Sequence, residues 1–238
     1  MLHTINPYKV LFLDIETVPS AEKWEDISPE LQDLWSHKTE YRRDKDQISA
    51  IEFYETNAGI WAEFGKVVCI SVGYITKHDK IRIKSFYGHD EKKILEDFVD
   101  LLNNHFFSSQ SLLCAHNGKE FDFPFLARRM LILQIELPNL LNLFGKKPWE
   151  VPHLDTMELW KFGDYKHFTS LALLANILGI ETPKDDIDGS KVAEVYYQER
   201  NLERIKDYCE KDVLTVAQIF RKMRYESLLE QDTDADEY

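Results

Sequence analysis

Hydrophobic positions along the chain change their period several times, and each change marks an element. Residues 8–14 carry Val10, Leu11, Phe12 and Leu13 as an unbroken apolar run, the pattern of a strand covered on both faces. Residues 66–76, rich in Val and Ile, read as a second strand. Residues 80–87 alternate Ile81, Ile83 and Phe86 with charge after a polar turn at His78-Asp79, so the two strands form a hairpin. Helical spacing then begins: Ile94, Phe98, Leu101, Leu102 and His105 recur over residues 90–107, with Asp90 as N-cap. Residues 111–116 predict a short buried strand, 121–133 a helix and 152–155 a brief edge strand. Residues 170–178 predict an apolar helix closed by Gly179. The longest helix is expected from residue 201 to about residue 228, burying Ile205, Cys209, Val213, Val216 and Phe220.

Strand, hairpin, helix, strand, helix, short strand and helices in this order predict an α/β domain with a mixed sheet flanked by helices. Residues 18–65 are the least regular stretch. Trp24, Trp35, Tyr41, Phe53, Tyr54 and Trp61 lie there among many charges. One or two helices are expected, covering an edge or the mouth of the sheet, with the aromatic residues packing this insertion onto the core. The competing role for those rings is base stacking, worth roughly 1–3 kcal/mol per base. The length suits a single domain over residues 1–229, insertion included, followed by an acidic disordered tail at 230–238.

Composition adds limits. Hydrophobic residues make up 44% of the chain, enough for a packed core. No apolar run approaches the ~20 residues of a membrane span, and no signal peptide is evident at the N-terminus. Cys69, Cys114 and Cys209 sit in apolar runs, which predicts buried, reduced thiols in a cytoplasmic protein rather than a disulfide framework. Net charge is −13, the wrong sign for wrapping a polyanion. The tail holds five acids and no base, which leaves −8 elsewhere.

Four acids in three stretches change that picture. Asp14 and Glu16 end the first strand two residues apart, so both emerge on one face. Asp122 opens a helix after Asn117 and Phe121. Tyr208 and Asp212 are four apart on the last helix, neighbours at the shoulder of its apolar stripe. Carboxylates so close repel unless cations lie between them, and hard oxygen ligands suit Mg²⁺ or Mn²⁺. Taken singly, each stretch has a plain structural role as well: a strand-end pair, a helix-dipole acid and an amphipathic helix.

Taken together, the three stretches resemble the motifs of a 3′–5′ exonuclease of the DnaQ-like superfamily, in the branch with tyrosine in the third motif. Asn-x-x-x-Phe-Asp at 117–122 is similar to the second exonuclease motif of family B DNA polymerases. Two further segments, 62–71 (Ala-Glu-Phe-Gly-Lys-Val-Val-Cys-Ile-Ser) and 188–192 (Asp-Gly-Ser-Lys-Val), resemble the predicted exonucleases related to that proofreading domain. The resemblance implies a ribonuclease H-like fold, a mixed five-stranded sheet flanked by helices. It implies catalysis by Asp14, Glu16, Asp122, Tyr208 and Asp212. Two ions, Mg²⁺ or Mn²⁺, would be held by Asp14, Glu16, Asp122 and Asp212, with Asp14 bridging both. Tyr208, whose hydroxyl titrates at about 10 in the free amino acid, would orient the attacking water. Asn117 would lie near the terminal nucleotide and Phe121 beneath it.

The function so implied is hydrolysis from the 3′ end of single-stranded nucleic acid, DNA before RNA, releasing nucleoside 5′-monophosphates. A chain of 238 residues leaves no room for a polymerase domain, so a standalone nuclease is expected. An exoribonuclease of the RNase D type is the rival enzyme, distinguished by engagement of a 2′-hydroxyl. A non-catalytic nucleic-acid-binding module is the rival from another class. Asp155-Thr156 is similar to an Asp-Thr pair of related exonucleases, and helix capping is its simpler role. His116 reads as a structural hydrogen-bonder, and His153 and His167 lack metal-ligand spacing. Arg128-Arg129 and Lys146-Lys147 are candidates to flank a strand-binding groove.

Overall fold

A computed structural model describes residues 2–164, 166–181 and 187–232. Six strands form one sheet: β1 (Val10–Pro19), β2 (Gly65–Ile75), β3 (Lys80–Tyr87), β4 (Leu112–Ala115), β5 (Leu154–Asp155) and β6 (Glu230–Gln231). Their spatial order is β5-β4-β1-β2-β3-β6. β2 runs antiparallel to β1 and β3, while β4, β5 and β6 run parallel to their neighbours. The helices are α1 (Pro29–Asp46), α2 (Ala50–Asn57), α3 (Glu91–His105), α4 (Asp122–Ile132), α5 (Thr156–Lys161), α6 (Leu171–Ile177), α7 (Val192–Glu194) and α8 (Leu202–Met223). Among the described residues no helix is long and apolar enough to cross a membrane.

β1 is the central strand and its apolar run is fully buried. Alternation sends Leu11, Leu13 and Ile15 into the core shared with α3 and α4, beside Phe98 and Phe123. Val10 and Phe12 face α8, where the Phe12 ring meets Phe220 edge-on at 5.3 Å. Parity therefore sends Asp14 and Glu16 toward α8 as the strand leaves the core. A bulge between Glu16 and Thr17 shifts the register with β2 at that point, the kind of irregularity that re-aims side chains beside a site. A buried ion pair ties the opposite layer together. Arg129 of α4 grips Glu91 of α3 at 2.8 and 2.6 Å, and Glu91 also accepts the Val67 N–H. Arg129 is thus structural, not part of a groove.

The insertion folds as α1 and α2 around Trp35 and Tyr54, both fully buried. The Trp35 ring meets Phe64 at 4.9 Å and Tyr54 at 5.5 Å, and its indole N–H donates to the Ala50 carbonyl. These rings pack, as the simpler expectation had it, while Tyr41 is exposed. The return to the sheet needs glycine: a Cβ on Gly65 would lie 2.6 Å from the Gly59 carbonyl oxygen.

Three expectations are corrected. The sheet has six strands, not five, because Glu230–Gln231 pairs with β3. The chain is therefore ordered past 229: Arg82 holds Asp232 at 2.9 Å and the Asp232 N–H donates to the Ile81 carbonyl. Residues 233–238 of the expected tail lie outside the described residues. The last helix ends at Met223 rather than near 228. Tyr225 takes a left-handed φ of 59°, and Gln218 clamps both backbone groups of Leu229 at 2.8 Å, which turns the chain back toward β3.

Candidate active site

The end of β1 lies against the middle of α8, so Asp14 and Glu16 meet Tyr208, Cys209 and Asp212. Ligand atoms of Asp14, Glu16 and Cys209 all lie within 4.8 Å of one another. The Cys209 thiol donates to the backbone and carboxylate oxygens of Asp14, both at 3.3 Å. One helical turn separates Tyr208 from Asp212, and the Tyr208 hydroxyl donates to the Asp212 carboxylate. Asp14, Glu16, Tyr208, Asp212 and Phe121 line one cleft of about 430 Å³. Asp122 sits buried at its side and accepts the Ile15 N–H.

Electrostatics mark this cluster. Burial, then the charges of Asp212 and Asp122, holds the Asp14 carboxyl well above the usual carboxylate range. Burial and the Asp14 charge do the same to Glu16. Asp122 is pushed up to about 7, by burial first and then by the charges of Asp155 and Asp212. Burial and Asp212 raise the Tyr208 hydroxyl. Among the described residues lining the cleft there is no basic side chain. Acids crowded together without a base form a site whose ionised state needs a cation. The donor set fits a hard divalent ion: carboxylate oxygens face the cleft, and burial pushes the Cys209 thiol up, so it remains a protonated donor.

Asn117 is differently placed. Its backbone is left-handed (φ 65°), its Oδ1 is buried without a hydrogen-bond partner, and it is not among the residues lining the cleft. Asp155 explains the loop that carries it. Only 1% exposed, Asp155 caps α5 by accepting the Met157 and Glu158 N–H groups at 2.9 and 3.3 Å. It also accepts the Asn117 and Lys119 N–H groups at 3.0 and 3.1 Å. Capping was legible in the sequence; the second task, across 38 residues, was not. His116 bridges Thr156 and the Thr169 carbonyl at 2.9 Å each, and His153 bridges the Leu113 N–H and the Leu140 carbonyl. Both are structural. Sequence reasoning also missed Cys209 and the α2 end, where Thr56, Asn57 and Ile60 form one wall of the cleft.

A family model described as a predicted 3′–5′ exonuclease related to the exonuclease domain of PolB matches residues 60–238. The chain belongs to that family. In this chain Asn117, Phe121, Asp122, Tyr208 and Asp212 fall inside the matched segment, while Asp14, Glu16 and most of the insertion precede it. The family B DNA polymerase of the hyperthermophilic archaeon Pyrobaculum calidifontis is similar in structure, with a TM-score of 0.51 at 17% identity over 89% of this chain. The chain spans 24% of that polymerase. At such identity the likeness concerns the fold, which is ribonuclease H-like. Comparison with the curated proteins gives no match.

Proposed function

We propose that the protein is a metal-dependent 3′–5′ exonuclease acting on single-stranded ends, DNA in preference to RNA, and releasing nucleoside 5′-monophosphates. The observation that carries this is the meeting of Asp14, Glu16, Asp212 and Tyr208 in one cleft, with Asp122 beside them and the Asp14, Glu16 and Asp122 carboxyls held above their ordinary range. Asp14, Glu16, Asp122 and Asp212 would hold two divalent ions, Mg²⁺ or Mn²⁺. Bound there, such ions acidify water and offset charge on the scissile phosphate and leaving oxygen. The chain's own groups supply position. The raised pKa of Tyr208 leaves its hydroxyl protonated at neutral pH, so it orients the attacking water rather than deprotonating it. Phe121 offers an apolar surface under the terminal base.

The test uses labelled single-stranded DNA and RNA blocked at either end, with Mg²⁺, Mn²⁺ or chelator. Cation-dependent mononucleotide release only from open 3′ ends is expected, faster on DNA. Asp14→Ala and Asp212→Ala should abolish it while leaving the melting profile cooperative. Undiminished turnover in either variant would remove the mechanism, and faster RNA cleavage would remove the DNA preference.

A further inference from the structure

We infer that a second groove, on the far side of the Asn117–Phe121 loop from the acidic cleft, carries the single strand upstream of its 3′ terminal residue. This rests on the exonuclease function proposed above and extends that site outward. The groove measures about 600 Å³ and lies between α4 and the loop around residues 137–151. Leu131, Leu137, Leu143 and Phe144 give it an apolar floor, with Arg128 and Lys146 among the residues lining it. Phe144 is 70% exposed, and the adjacent Trp149 is 77% exposed with the Lys147 ammonium 5.4 Å from its ring centre.

Three features identify the occupant. The first is continuity. Lys119 and Glu120 line this groove, while the next residue, Phe121, lines the acidic cleft, so one loop is a wall of both. A strand whose end enters the cleft passes that wall.

The second is charge. In a chain of net charge −13, this groove is locally basic. Of the two acids lining it, Glu158 holds Lys119 at 2.8 Å, which leaves Glu120 against Arg128 and Lys146. Arg128 and Lys146 are exposed, and neither is held in an ion pair among the described residues. Two cations against one acid, beside an apolar floor, complement a phosphate backbone with its bases turned inward.

The third is the aromatic pair. Exposed Phe144 and Trp149 supply flat faces of the kind on which unpaired bases stack, whatever their sequence. The sequence offered Arg128-Arg129 and Lys146-Lys147 as paired groove candidates. The structure divides the first pair, burying Arg129 on Glu91 and leaving Arg128 to line this groove with Lys146.

The experiment compares a long oligothymidylate with the dinucleotide, too short to leave the cleft, for the wild type, Arg128→Ala/Lys146→Ala and Phe144→Ala/Trp149→Ala. All four positions are exposed, so unchanged melting temperatures are the folding control. The preference in kcat/KM for the long substrate over the dinucleotide should fall at least about tenfold in each double variant, since each stacked base is worth roughly 1–3 kcal/mol. The salt slope of long-substrate binding should flatten by about 1.4 in the charge variant, roughly 0.7 per lost phosphate contact. Binding is read separately by anisotropy of labelled oligothymidylate in chelator, where hydrolysis is off. If the wild type cleaves both substrates and the variants keep its length preference, the groove assignment fails and the nuclease assignment stands. If the wild type cleaves neither, the nuclease assignment fails, and unchanged anisotropy in the variants overturns the groove as well.

Discussion

Asp155→Asn probes the device that holds the second acidic motif in place. In the protein one carboxylate oxygen accepts from Asn117, Met157 and Glu158, and the other from Lys119. An asparagine of the same shape keeps one acceptor oxygen and turns its amide N–H₂ toward the Lys119 N–H. One charge-assisted hydrogen bond is lost, worth about 1.5–3 kcal/mol, and a donor is left facing a donor. The three remaining bonds pass from a charged to a neutral acceptor, which weakens each. Relief of a buried charge offsets part of this, so a net loss of about 3 kcal/mol is expected. For a chain of this size that lowers the melting temperature by roughly 6–12 °C. The loop 117–121 then relaxes, and Asp122 moves with it. A misplacement of about 1 Å at a catalytic group can cost on the order of 10²-fold. Turnover measured well below the new melting point should therefore fall in kcat more than it rises in KM. A variant melting within about 2 °C of wild type, with kcat intact, would refute the claim that Asp155 positions this loop.

Three further outcomes are expected. Without metal, Asp122 is protonated in the folded chain up to about pH 7 but ionises near 3.8 when unfolded, so its stabilising share is whole below 3.8 and is lost as pH rises through 7. In chelator, wild type should lose stability relative to Asp122→Asn over that window, and saturating Mg²⁺ should cancel the trend; parallel curves would contradict it. His153, pushed down to about 4 by burial, acts in the opposite sense but is common to both proteins. Tyr208→Phe should slow turnover by roughly 10²-fold while Mg²⁺ still raises the melting temperature as in wild type; loss of that shift would make Tyr208 a metal-site residue instead. Glu91→Ala strands the buried Arg129 guanidinium and should cost about 3–5 kcal/mol, read by chemical denaturation; a change under about 1 kcal/mol would mean that the pair is not buried as described.

Much of the fold was legible because its key elements are periodic. The apolar run at 10–13 predicted a doubly covered strand, and its parity puts Asp14 and Glu16 on the α8 side. The stripe Ile205, Cys209, Val213, Val216 and Phe220 buried as spaced, which fixes where Tyr208 and Asp212 point. What stayed hidden depends on pairings distant in sequence. The bulge after Glu16 exists only in register with β2, and a two-residue strand such as β6 has no period to read. The end of α8 was overrun because Leu228 and Leu229 continue the apolar tone past a left-handed Tyr225. Asp155 announced its local cap, but nothing at residues 117–119 signals that their amides need a partner from beyond α4.

The α1–α2 insertion has a separate core built on Trp35, yet its last turn borders the acidic cleft. The acids stand on the sheet, α4 and α8, so the proposed hydrolytic site and this border are carried by different pieces of chain. Exchange or loss of the insertion would widen or narrow the doorway while leaving the elements that carry the acids in place. Evolution can thus retune which ends gain admission, by size or by pairing state, while the proposed cutting chemistry is inherited whole.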